Sequence, residues 1–158
     1  MKFLTIASAL LLTGSAVAAP GTALRAERHR KRIASGRKGN PLRRVSGPVD
    51  GTESSNVQYS DNWAGAVLVG TGYTSVTGTF TAPTPSTDGS GSAWVGIDGD
   101  TCETAILQTG IDWTLSGGSV TYDAWYEWYP NYSYDFSDIS ISAGDTITTT
   151  VTATSLTG

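Results

Sequence analysis

The stretch Ser119-Val120-Thr121-Tyr122-Asp123-Ala124-Trp125-Tyr126-Glu127-Trp128-Tyr129 decides the fold. β-Branched and aromatic residues dominate it, and such residues suit a pleated, half-buried surface, so it predicts a strand. Alternate side chains of a strand point to opposite faces. Val120, Tyr122, Ala124, Tyr126 and Trp128 therefore share one side, and Thr121, Asp123, Trp125, Glu127 and Tyr129 share the other. The second side mixes carboxylates with flat aromatics, the composition of a sheet surface that binds a polymer. The plainer alternative is that these rings cap a half-buried sheet.

The same texture extends outward from about Ser54 to the end of the chain. Runs at residues 63–69, 73–81, 93–97, 104–111, 139–142 and 146–154 alternate with Gly, Pro, Asp and Asn clusters, and no ten-residue window has helical period. Seven short strands with regular turns predict an all-β antiparallel sandwich or barrel in one domain. In residues 93–98 the alternation puts Val95 and Ile97 on one side and Trp94 with Asp98 on the other.

Charge divides the 158 residues sharply. All ten Lys and Arg lie between Lys2 and Arg44, while thirteen of the fourteen acids lie after Val45, which gives +9 before that point and −13 after it. The only His, His29, belongs to the basic part. The acidic part can therefore form no Ser/His/Asp triad, Cys/His dyad or HExxH zinc site. Without Lys or Arg it offers no Schiff base, no Walker-type phosphate grip and no nucleic-acid surface. Any catalysis there belongs to Asp, Glu, Gln, Asn, Ser, Thr, Tyr or Trp.

The N-terminus reads as a targeting sequence. Met1-Lys2, an apolar run from Phe3 to Leu12 and the small residues Ala16-Val17-Ala18 make a signal peptide over residues 1–18, too short for a membrane span. Residues 19–52 are Arg-rich and poor in large apolar side chains, so they cannot fold alone. Their place between a signal peptide and a body lacking any base favours a basic propeptide over a simple solvated tail.

The string Trp94-Val-Gly-Ile-Asp98-Gly-Asp-Thr-Cys102, then Thr104-Ala-Ile-Leu-Gln108-Thr-Gly110 and Tyr122-Asp-Ala-Trp-Tyr-Glu127-Trp-Tyr-Pro130, resembles the fungal glutamic peptidases, or eqolisins. Asn62-Trp63-Ala-Gly65 looks like the start of their mature domain. The resemblance implies a concanavalin-like sandwich of two antiparallel sheets, secreted as a zymogen and active on proteins in acid. It makes residues 53–158 the N-terminal portion of that domain. It implies a Gln/Glu catalytic pair with Gln108 as the Gln, and a substrate groove lined by Trp94, Asp98, Asp123, Trp125 and Glu127. A Glu carboxylate can take a proton from attacking water and return it to the leaving amine. The Gln amide can orient that water and support the oxyanion. The implied partners are protein or peptide substrates and the chain's own basic propeptide, with no cofactor, metal, membrane or nucleic acid, and a monomeric state.

The family's catalytic Glu belongs to a later strand in an Ala-Glu-Phe/Trp-like context, and no Glu follows Glu127. The family also pairs the residue at the position of Cys102 with a later Cys, whereas Cys102 is the only one here. The expectation is a sandwich incomplete at its C-terminus and inactive as written, with a degenerate paralogue as the alternative. Asn131-Tyr132-Ser133 is a glycosylation sequon that suits a surface loop.

Rival readings remain open at this point. A carbohydrate-binding module or glycosidase would use Trp125 and Tyr129 as sugar platforms, with Asp123 and Glu127 as paired carboxylates. Four residues along one strand put that pair roughly 13 Å apart, too far for most hydrolytic pairs. A noncatalytic interaction domain is a third reading. A calcium loop through Asp98, Asp100 and Glu103 lacks the usual ligand series. No Asp-Thr-Gly or Asp-Ser-Gly occurs, which speaks against an aspartic peptidase.

Overall fold

The computed structural model describes Arg30, residues 39–47 and residues 57–155. The expected signal peptide and most of the expected propeptide lie outside the described residues. Among the described residues the elements are eight strands: β1 (Arg44–Val45), β2 (Tyr59–Ser60), β3 (Ser75–Thr81), β4 (Gly89–Asp98), β5 (Ile106–Ser116), β6 (Ser119–Tyr129), β7 (Tyr134–Asp135) and β8 (Thr146–Thr152). They form an antiparallel four-stranded sheet in the order β4-β5-β6-β7 and two antiparallel pairs, β1-β2 and β3-β8. The β3-β8 pair packs on β4 and β5, giving the expected sandwich.

Local chemistry explains these elements. Ser116 pairs with Ser119 across Gly117 and Gly118, whose φ values of 57° and 81° are the two left-handed positions of a tight hairpin turn. In β3 and β8 burial alternates residue by residue. Outward hydroxyls pair across the strands, Thr77 with Thr150 at 2.8 Å and Thr79 with Thr148 at 3.0 Å. Inward, Val76, Phe80, Ile147 and Val151 face the larger sheet. Gly78 lets the layers meet, since a Cβ there would lie 2.6 Å from Val95 Cγ1.

The core is small. Ile106 and Ile111 are almost completely buried, each such side chain stabilising the fold by about 1.5–3 kcal/mol. An open cavity of about 590 Å³ lies between the sheets, lined by Ile111, Phe136, Ile141 and Ile147 among others. Tyr126, Tyr134 and Phe136 stack on this side and remain about half exposed.

Two expected strands differ. Residues 63–69 form no ladder, and Val67, Leu68 and Val69 are exposed, because no described strand lies alongside to take their backbone groups. Instead of residues 139–142, Tyr134–Asp135 pairs with β6, and Ile139 and Ile141 line the cavity.

Candidate active site

Residues directly opposite on antiparallel strands share a face. Gln108 on β5 stands opposite Gly96 on β4 and Glu127 on β6. Trp94 and Trp125 flank Gly110, and Asp123 faces Asp112. One face, the one turned away from β3 and β8, therefore carries Trp94, Asp98, Gln108, Asp112, Asp123, Trp125 and Glu127.

Gln108 is the centre of this face, with 1% of its surface exposed. Its Nε2 donates to Glu127 Oε2 at 3.1 Å and to the Gly39 carbonyl at 3.2 Å. Glu127, 7% exposed, thus holds the amide with its N–H groups turned toward a main-chain carbonyl. Gln108 Oε1 is buried without a partner among the described residues. A fixed N–H donor beside a peptide carbonyl is one of the parts an oxyanion site requires.

The carbonyl belongs to the basic segment, which continues along this face. Trp63 Nε1 donates to the Asn40 carbonyl at 3.0 Å, and Asn62 Nδ2 donates to that of Pro41 at 2.9 Å. The Leu42 N–H donates to the Gly99 carbonyl at 2.8 Å. Arg44 pairs with Asp100, which is 8% exposed, and also donates to Gln58 at 2.9 Å. Arg43 pairs with Asp61 at 3.0 Å in the open.

The face analysis of β6 holds: Asp123, Trp125 and Glu127 lie together, and the pairing adds Gln108 and Trp94 to them. Trp94 packs against Trp63, ring centroids 4.9 Å apart and nearly perpendicular. Asp98 ends β4 at the exposed rim with φ 70°, an unusual conformation for a residue with a Cβ. Cys102 is a half-buried free thiol, 3.6 Å from Thr104 Oγ1. Asn131 is exposed on the turn after β6, its N–H donating to the Trp128 carbonyl at 2.8 Å.

Four further site residues emerge from the structure: Asn62, Trp63, Asp100 and Asp112. Extending the alternation from Gln108 along β5 places Asp112 on the same face, so its signal was available. Asp112 is 7% exposed, and like charges opposed across strands destabilise a sheet unless partnered. Asp112 and Asp123 both have partners. Asp100 serves an Arg.

Fold and site together define a β-sandwich domain with an extended segment of its own chain lying across one sheet face, over the buried Gln108 and Glu127. The chain belongs to the peptidase A4 family, whose model matches residues 61–158. It is 50% identical to Aspergillopepsin-2 of Aspergillus niger, over 98% of this chain and 64% of that protein. It is 49% identical to Scytalidopepsin B of Scytalidium lignicola, over 98% of this chain and 58% of the relative. The chain thus spans about three-fifths of the length of these relatives. The crystal structure of scytalido-glutamic peptidase with a transition state analog inhibitor aligns with 57% identity and a TM-score of 0.50, covering 56% of this chain and 42% of that one.

Proposed function

We propose that this chain is part of a secreted, acid-active glutamic endopeptidase precursor, in which Gln108 supports the oxyanion during peptide hydrolysis. The observation that carries the reading is the Gln108 Nε2 donating to a main-chain carbonyl while bonded to Glu127. In the proposed reaction a Glu carboxylate takes a proton from water as the water oxygen attacks the scissile carbonyl carbon. Gln108 donates to the resulting oxyanion. The proton then passes to the nitrogen as the C–N bond breaks, leaving a carboxylic acid and an amine.

The base implied by family resemblance is a Glu outside these 158 residues. Glu127 then orients Gln108, and Trp94, Asp98, Asp123 and Trp125 line the substrate groove. Residues 19–52 act as a propeptide, attracted by its positive charge to the acidic body, and within it residues 39–44 lie over Gln108. Cys102 pairs with a Cys outside these residues, and Asn131 carries a glycan. Secretion follows from residues 1–18, and among the described residues no helix is long and apolar enough to cross a membrane.

The test is to incubate the product of the complete reading frame, activated in acid, with a denatured protein and separately with polysaccharides. New peptide termini with intact polysaccharide support the reading. Cleavage of polysaccharide alone favours the glycosidase, and cleavage of neither favours an interaction domain. If residues 45–158 alone cleave the protein and Glu127→Gln stops it, Glu127 is the base.

A further inference from the structure

The contacts of residues 39–44 with the body fall into two kinds. Arg43 and Arg44 use their side chains, on Asp61, Asp100 and Gln58. Among the described residues, the segment's other hydrogen bonds use its backbone. The carbonyls of Gly39, Asn40 and Pro41 accept from Gln108, Trp63 and Asn62, the Leu42 N–H donates to Gly99, and the Arg43 N–H donates to Asn62 Oδ1 at 2.9 Å. Asn62 uses both ends of its amide on this backbone, its donor toward Pro41 and its acceptor toward Arg43.

Both reading side chains are also held by contacts within the body. Ser60 Oγ donates to Asn62 Oδ1 at 2.8 Å and accepts from the Asn62 and Trp63 N–H groups at 3.2 and 3.1 Å. The Trp63 ring is fixed edge-on to Trp94 and lies over Gly99, where a Cβ would be 2.9 Å from its Cη2. Side chains immobilised by such contacts lose little further entropy on binding. Backbone groups are common to all peptides, and strand-like recognition draws affinity from them.

We propose that Asn62 and Trp63 form a main-chain clamp for extended peptides. It holds the residues C-terminal to the carbonyl on Gln108 and sets the peptide's direction, with its N-terminal end at Gln108 and its C-terminal end toward Asp100. Residues 40–43 are the resident occupant, and a protein substrate takes the same track irrespective of its side chains at these positions. The inference deepens the peptidase reading and rests on it for the substrate, but the clamp itself is measurable without catalysis.

The experiment uses the full chain at neutral pH and low salt, following amide hydrogen exchange at Leu42 and Arg43. Trp63→Phe keeps an aromatic ring at the position and removes the indole N–H donor. Asn62→Asp keeps the acceptor for Arg43 and removes the donor to Pro41. Each is expected to speed exchange at Leu42 and Arg43 about five- to tenfold, the loss of roughly one hydrogen bond, with β5 amides unchanged. Leu42→Ala and Arg43→Gln are expected to change the remaining segment amides less than about twofold, since their backbone contacts survive. Unchanged segment exchange in both clamp variants overturns the proposal. So does a parallel loss of protection in β5, which would make the two residues fold determinants, and so does release of the segment by Leu42→Ala. Failure of the complete protein to cleave peptides, with these exchange results intact, would remove the peptidase reading and leave the clamp.

Discussion

Gly39 is the point at which the basic segment presses most closely on the site. A Cβ at this position would overlap Gln108 Nε2 and lie 2.8 Å from Glu127 Oε2. Gln108 is almost completely buried and bonded to Glu127, so it cannot swing aside without breaking that bond. In Gly39→Ala the segment has to lift instead. It loses the Gly39 bond to Gln108 and weakens the adjacent Asn40 bond to Trp63. At about 1 kcal/mol for the first bond and a fraction of that for the second, docking weakens by about 1–2 kcal/mol, or roughly 5- to 30-fold. Trypsin cleavage after Arg43 and Arg44, followed by mass spectrometry, reads this directly. Where opening is fast relative to cleavage, the rate follows the open population. Gly39→Ala should be cut roughly 5- to 30-fold faster than the parent, with the body's melting temperature unchanged. Cleavage at the parental rate or slower would show that Gly39 does not seal the groove.

Other perturbations follow the same geometry. Gly78→Val drives a side chain into Val95 between the sheets and should destabilise the fold by about 1–3 kcal/mol, a drop of several degrees in melting temperature. Asp100→Asn removes the Arg44 ion pair; because Arg44 is 46% exposed, the loss is at most about 1 kcal/mol. Tryptic cutting should accelerate by about fivefold or less, and the difference should shrink at high salt. The body left after cutting at Arg44 carries thirteen acids and no Lys or Arg, so its self-repulsion grows as carboxylates ionise. Free carboxylates titrate near about 3.9–4.3. Its melting temperature should therefore fall as pH rises from about 4 toward 8, and a steady rise over that range contradicts the account.

The strand Ser119–Tyr129 was legible because its alternation is uninterrupted, and the same alternation placed Asp123, Trp125 and Glu127 on one face. The partnership of Gln108 with Glu127 was not read from the sequence, which offered Glu127 only as a groove residue, although the register that makes it is local. A two-residue hairpin centred between Gly117 and Gly118 sets position 108 opposite position 127. The tracks of Asn40 on Trp63 and of Arg44 on Asp100 were not legible, since they join residues 23 and 56 apart that no local period relates. The opposite charges of the two regions forecast only that they attract. Residues 63–69 misled for a physical reason: apolar, β-branched composition states a preference for a sheet, but a ladder also needs a neighbour.

The role proposed for Gln108 is that of oxyanion donor. It is tested most directly by the kcat of the acid-activated product of the complete reading frame on a denatured protein, with and without Gln108→Ala. Loss of one preorganised donor should lower kcat about 10²- to 10³-fold with the fold intact. A kcat within a few-fold of the parent would show that the Gln108 amide takes no part in the reaction.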